Sequence, residues 1–133
     1  ILLTDDTVDP YSSKVIRASA GLVFALPILR QAGTLSSILE TLIQHKVTPV
    51  LTQSDESAVV NNYKNNHYKK YNYNQPTALV LGNEGAGIAF ETIPQAIRSK
   101  LASVAIPMQA GVESLNVSIC GSILMAEAAS QVS

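Results

Sequence analysis

The side chains best placed to do chemistry fall in two short stretches, "LVLGNEGAGI" (79 to 88) and "IPMQAGVESLNVS" (106 to 118). The first carries Gly82, Gly85 and Gly87, which permit positive φ and let a ligand approach bare backbone. Its spacing is not the dinucleotide fingerprint G-x-G-x-x-G, and Ile88 stands where a phosphate loop needs lysine. Glu84, between the glycines, can be a solvated turn residue, hold a cation, anchor an adjoining loop or accept a ligand's hydrogen bond.

The second stretch leads into a helix that is apolar or small at nearly every position from Leu115 to Ala129, yet crowds Ser114, Asn116 and Ser118 at its start. Ser114 can cap it by accepting from N–H groups two or three residues on. One cap suffices and asparagine is unfavourable inside a helix, so Asn116 and Ser118 are expected to face a bound ligand. All-round apolarity fits a helix that covers a sheet on one side and meets a partner subunit on another.

The elements that position these loops alternate along the chain. Short apolar runs predict strands at Ile1 to Thr4, in "LVFALPIL" ending at Pro27, in "VTPVLTQ", in "TALVLG" and in "SVAIPM". Helical spacing predicts helices from Lys14 to Ala20 with Gly21 as its stop, and from Thr34 as N-cap to His45. A further helix over 88 to 101 is interrupted near Pro94, and the last begins at Ser114. This alternation predicts an α/β fold, a parallel sheet flanked by helices, with ligands bound beyond the carboxyl ends of the strands. Both chemistry-bearing stretches are strand exits.

Length predicts one domain over 1–133, and 47% apolar against 14% charged residues leaves few charges for the surface. The net charge of -1 gives no support for a strongly basic nucleic-acid binder and none against a shallow or local basic patch. The single cysteine, Cys120, excludes an internal disulfide and reads as a small buried hydrophobe. There is no run of roughly 18 apolar residues and no basic-then-apolar leader, so no membrane span is expected and the cytoplasm is the simplest address. No metal site is expected. The low-complexity segment 61 to 75, "NNYKNNHYKKYNYNQ", holds six Asn, four Tyr, three Lys and no acid. It reads either as a solvated surface loop or as a surface for RNA through phosphate pairing and stacking; His67 within it is given no catalytic role.

The pair "LVLGNEGAG" and "IPMQAGVESLNVSICGSILMAE", in this order and about twenty residues apart, resembles the second and third signature motifs of the SpoU (TrmH-like) RNA ribose 2'-O-methyltransferases, within the SPOUT superfamily. "DPYSSKVIRASAGLVFALPI" resembles the family's middle region, so the likeness spans almost the whole chain. It implies a SPOUT fold with a C-terminal deep trefoil knot, S-adenosyl-L-methionine as cofactor, transfer RNA or ribosomal RNA as partner, and a homodimer through the closing helix. Gly82, Ile106 and Leu115 match positions that contact the cofactor largely through backbone. Leu81, Gly85, Met108 and Asn116 lie close enough to line the same pocket. Glu84 matches the motif-two glutamate, and Ser114 and Asn116 match motif-three polar residues implicated in activity, which makes these three the expected catalytic residues.

The resemblance also implies an arginine from a first motif, N-x-G-x-x-x-R. That stretch is absent from these 133 residues, and Arg17 in "VIRASAG" belongs to a later segment. The chain is therefore expected to lack its N-terminal part and to hold most of the cofactor pocket without the complete catalytic apparatus. Two other readings stay open: a knotted methyltransferase acting on base nitrogen, and a catalytically silent RNA-binding or dimerisation module.

Overall fold

The computed structural model describes residues 1–30, 32–53, 66–83, 85–112 and 114–133. Contacts gather into two compact units, Ile1–Leu39 and Glu40–Ser133.

In the first unit, helix α1 (Ser13–Ala18) starts where the Ser12 side chain accepts from the Val15 N–H. It stops at Ala20 and Gly21, both at positive φ, where the Gly21 N–H bonds back to the Ile16 carbonyl. Two sequence expectations fail here. The run "LVFALPIL" is not a buried strand: Leu22–Ala25 is a 3-10 turn, with Leu22 67% and Phe24 66% exposed. Gly21 in the left-handed region feeds a tight turn, and Pro27 removes a ladder donor, so the run never acquires a full strand partner. Ile1 to Thr4 shrinks to one parallel bridge between Leu2 and Leu29. Tyr11 stacks on Phe24 at 5.8 Å, and an Arg30–Asp9 ion pair of 3.3 Å closes the same surface.

Helix α2 (Leu35–Gln44) follows Thr34, whose Oγ1 accepts from the Ser37 N–H at 3.3 Å, the capping expected for that residue. Ile38 and Leu39 are buried on its inner side.

In the second unit, β1 (Thr48–Thr52), β2 (Asn66–His67), β3 (Thr77–Val80) and β4 (Ala102–Ala105) form a parallel sheet in the order β2-β4-β1-β3. Register fixes the faces: Val50 pairs with Leu79 and Ala102, and Leu51 pairs with Val80 and Ser103. Pro49 lies within an inner strand without breaking it, because there β1 pairs only with Ala78 of β3; the β4 ladder begins at Val50. Between β3 and β4 lie a 3-10 turn (Phe90–Thr92) and the short helix α3 (Gln95–Arg98), broken at Pro94 as expected from sequence.

The closing helix α4 (Val117–Val132) covers one face of the sheet. Val50, Val104, Leu124, Tyr71 and Tyr73 form the buried cluster, with Leu79, Ala102, Ile106, Cys120 and Ala128 packed against it. Burial raises the Cys120 thiol above its ordinary range, in keeping with a packing role. Pro49, Leu51 and Ser103 on the opposite face are buried as well. The sheet is therefore covered on both sides, as parallel sheets require.

Candidate active site

All four strands run the same way, so their carboxyl ends share one edge. The exits of β3 and β4 flank β1 and stand about 10 Å apart, two strand spacings. Side chains lace this edge together. Thr52 Oγ1 donates to the Val80 carbonyl at 3.0 Å, the Gln53 N–H donates to the Val104 carbonyl at 3.2 Å, and Ser103 Oγ donates to Gln53 Oε1 at 3.4 Å. Sequence reasoning passed over Thr52 and Gln53. Their signal was a polar pair ending the apolar run "TPVLTQ".

The β3 exit is a closed loop. Asn83 and Gly87 exchange backbone hydrogen bonds of 2.9 and 2.8 Å, and the Asn83 side-chain Oδ1 accepts from the Gly85 N–H at 2.8 Å. The chain folds back so tightly that a Cβ on Gly82 would overlap the Gly87 carbonyl carbon and lie 2.6 Å from its oxygen and 2.7 Å from the Ile88 nitrogen. Gly82 is thus required by the loop's own closure, while at Gly87, φ +66, an added Cβ would meet nothing within 4 Å. Asn83 closes this loop through both backbone and side chain, which sequence reasoning missed; asparagine two residues before glycine is the turn signal that could have found it. Glu84 lies outside the described residues.

The β4 exit passes Ile106 and Met108, both half-buried, turns at Gly111 (φ +90), and reaches Ser114, Leu115 and Asn116. Ser114 is exposed and Leu115 half-buried. The helix cap lies two residues later than expected, at Asn116 instead of Ser114. The Asn116 Oδ1 accepts from the Ser118 N–H at 3.0 Å, the Ile119 N–H at 3.4 Å and the Ser118 hydroxyl. Asn116 therefore does not sit inside the helix, and the penalty expected for it there does not arise. Ser114 is left out of the cap.

Helix α4 also brings the two exits together. At Gly121, an added Cβ would lie 2.9 Å from Leu81 Cδ1, so the helix backbone rests on the first residue beyond β3. Leu81, Gly82 and Gly85 thus lie on the loop leaving β3, and Ile106, Met108, Ser114, Leu115 and Asn116 on the segment leaving β4, both starting from one edge of the sheet in one compact unit. Apolar side chains beside peptide groups of irregular backbone suit a flat, polar-edged ligand such as a nucleoside.

Comparison with known proteins gives the family and the fold. The profile of the SpoU rRNA Methylase family matches residues 1–126. An uncharacterized tRNA/rRNA methyltransferase of Synechocystis is 31% identical over 98% of this chain and 43% of its own length. A 23S rRNA (guanosine(2553)-2'-O)-methyltransferase of Bacillus subtilis is 26% identical over 94% of this chain and 45% of its own. The crystal structure of an AdoMet-bound rRNA methyltransferase from Sinorhizobium meliloti superposes with a TM-score of 0.75 at 30% identity, over 100% of this chain and 46% of that one. The chain spans less than half the length of these relatives.

Proposed function

Because the chain belongs to the SpoU rRNA Methylase family, we propose that it binds S-adenosylmethionine at the carboxyl edge of its sheet and serves methyl transfer to a ribose 2'-hydroxyl of transfer or ribosomal RNA. The observation that carries this reading is the adjacency of the two exit loops, with α4 resting on Leu81. The residues present fit the cofactor. Bare backbone at Gly85 and Gly87 lies beside exposed Leu81, and Ile106, Met108 and Leu115 supply apolar walls. Backbone groups of Gly82, Ile106 and Leu115 would hold it, with Leu81, Gly85, Met108 and Asn116 lining the pocket.

When bound, the cofactor supplies a methyl group on a positively charged sulfur, already a good leaving group. The chain's task is then alignment of the attacking hydroxyl and care of one proton. Ser114, exposed and outside the helix cap, and Asn116, held rigid by its cap, are the residues we assign to the ribose; Glu84 joins them on its motif match. The arginine of the family's first motif has no counterpart in these 133 residues, so cofactor binding is the direct readout.

Two structural features extend the proposal. The trefoil knot is supported by β4, last strand in sequence, lying between the earlier strands β1 and β2. The homodimer is supported by α4, where Ile119, Met125 and Val132 are 52%, 58% and 66% exposed and the one charged residue of the helix, Glu127, lies near Tyr73 of the buried cluster.

Calorimetric titration of the chain with S-adenosylmethionine is the test. Saturable binding with one site per chain is expected. Absence of heat at millimolar cofactor would overturn the reading and favour the silent RNA-binding module. Mass analysis of nuclease-resistant dinucleotides from modified RNA separates ribose from base methylation.

A further inference from the structure

We propose that His67, Tyr68, Lys69 and Lys70 form a contact surface for single-stranded RNA beside the methyl-transfer site, a proposal that rests on the methyltransferase reading above. Register supplies the placement. His67 is the last residue of β2 and pairs with Ala105, the last residue of β4, so its backbone stands about 5 Å from the strand whose next residue is Ile106. The surface therefore shares the carboxyl edge with the cofactor loops.

Its chemistry fits an anionic strand with free bases. The Tyr68 ring is packed against the buried cluster, and the exposed His67 imidazole stacks on it at 5.1 Å with 16° between planes. His67 Nδ1 accepts from the Lys69 N–H at 3.2 Å, which holds the imidazole in place. The result is a two-ring stack anchored on its inner side, whose outer ring can accept a nucleobase. Lys69 and Lys70 extend from the 3-10 turn that follows, both exposed, with the Lys69 ammonium 5.8 Å from the Tyr68 ring centre. Among the described residues no carboxylate pairs with either ammonium, and 66 to 75 contains no acid. A chain of net charge -1 that concentrates two lysines with no carboxylate partner among the described residues, and a ring stack, beside its active edge presents a local surface for phosphate and base.

The test is fluorescence anisotropy of a mixed-sequence single-stranded oligoribonucleotide with the unchanged chain, with Lys69→Gln/Lys70→Gln, with His67→Ala, and with Lys100→Gln as control. Lys100 is exposed and precedes β4, at the opposite edge of the sheet. The double variant is expected to bind several-fold to about a hundred-fold more weakly and to reduce the slope of log affinity against log salt by about 1.4. His67→Ala is expected to weaken binding at least about five-fold without changing that slope. Lys100→Gln should leave both unchanged, and all variants should bind S-adenosylmethionine like the parent. Unaltered RNA affinity in the double variant, equal binding to duplex DNA, or no RNA binding by the parent would overturn the surface while the cofactor reading stands. Loss of cofactor binding by the parent would instead strike the methyltransferase reading.

Discussion

Gly121 of the closing helix faces Leu81 at the β3 exit with no room for a side chain between them: a Cβ on Gly121 would stand 2.9 Å from Leu81 Cδ1. Leu81 is 42% exposed and its tip can swing, so the helix position reads directly onto the wall of the proposed pocket. Gly121→Ala is expected to change stability by less than about 1 kcal/mol, since better helix propensity offsets a small shift of Leu81. Gly121→Val adds bulk that Leu81 cannot evade without moving, and should weaken S-adenosylmethionine binding measurably. Paired melting and calorimetric titrations check this; unchanged cofactor affinity in the valine variant would separate Leu81 from the pocket.

Gly82 presents the opposite case, because its obstacle is backbone. An alanine there needs the Asn83–Gly87 bridge to open, since the Gly87 oxygen would lie 2.6 Å away. Gly82→Ala should cost roughly 1–3 kcal/mol by urea unfolding and abolish cofactor binding. Gly87→Ala meets no atoms but must hold φ +66, so the expected loss is about 1 kcal/mol, smaller than at Gly82.

Asn116 combines a cap with a proposed place at the ribose. Asn116→Ala should lower stability by about 0.5–2 kcal/mol, the usual cost of losing an N-cap. Asn116→Asp keeps the accepting oxygen and places a negative charge at a helix N-terminus, so its melting temperature should match the parent or exceed it. Reduced cofactor affinity in the stable aspartate variant would assign the carboxamide a role beyond capping; parental affinity would confine it to the cap.

Tyr73 offers a pH-dependent signature. Burial first, then the neighbouring Glu127 carboxylate, push its phenol up to about 12 from an ordinary value of 10.0. Among the described residues its hydroxyl has no hydrogen-bond partner. The folded state holds this proton more tightly than the unfolded chain. The corresponding stability is therefore complete below about pH 10 and is lost as pH rises toward about 12. Tyr73→Phe should remove that alkaline loss. At neutral pH it should be neutral or stabilising by about 1 kcal/mol, because it removes a buried polar atom left unsatisfied. Chemical unfolding of both proteins at pH 8 and pH 10.5 decides; an unchanged alkaline dependence in the phenylalanine variant would assign it elsewhere.

The amino-acid order by itself determined the strands β1, β3 and β4 and the closing helix of the second unit, the strand exits that bear Gly82 and Ile106, and the family those exits announce. Local chemistry suffices for these: a β-branched run such as "TPVLT" ending in polar residues, or a helix with small residues throughout, carries its own signal. The same order missed β2, and the burial of Tyr71 and Tyr73, within the segment read as a surface loop. It misplaced "LVFALPIL", because an apolar run cannot say whether a partner strand exists, and around Leu22–Ala25 a positive-φ glycine set a turn instead. It also assigned the helix cap to Ser114, since Ser114 and Asn116 are equally able to cap and only the path of the chain out of β4 chooses between them. The strand order β2-β4-β1-β3 and the rest of α4 on Leu81 were decided by tertiary structure alone. Both are packing solutions among segments far apart in sequence, reached when buried area and backbone pairing are satisfied together, and no single segment encodes them.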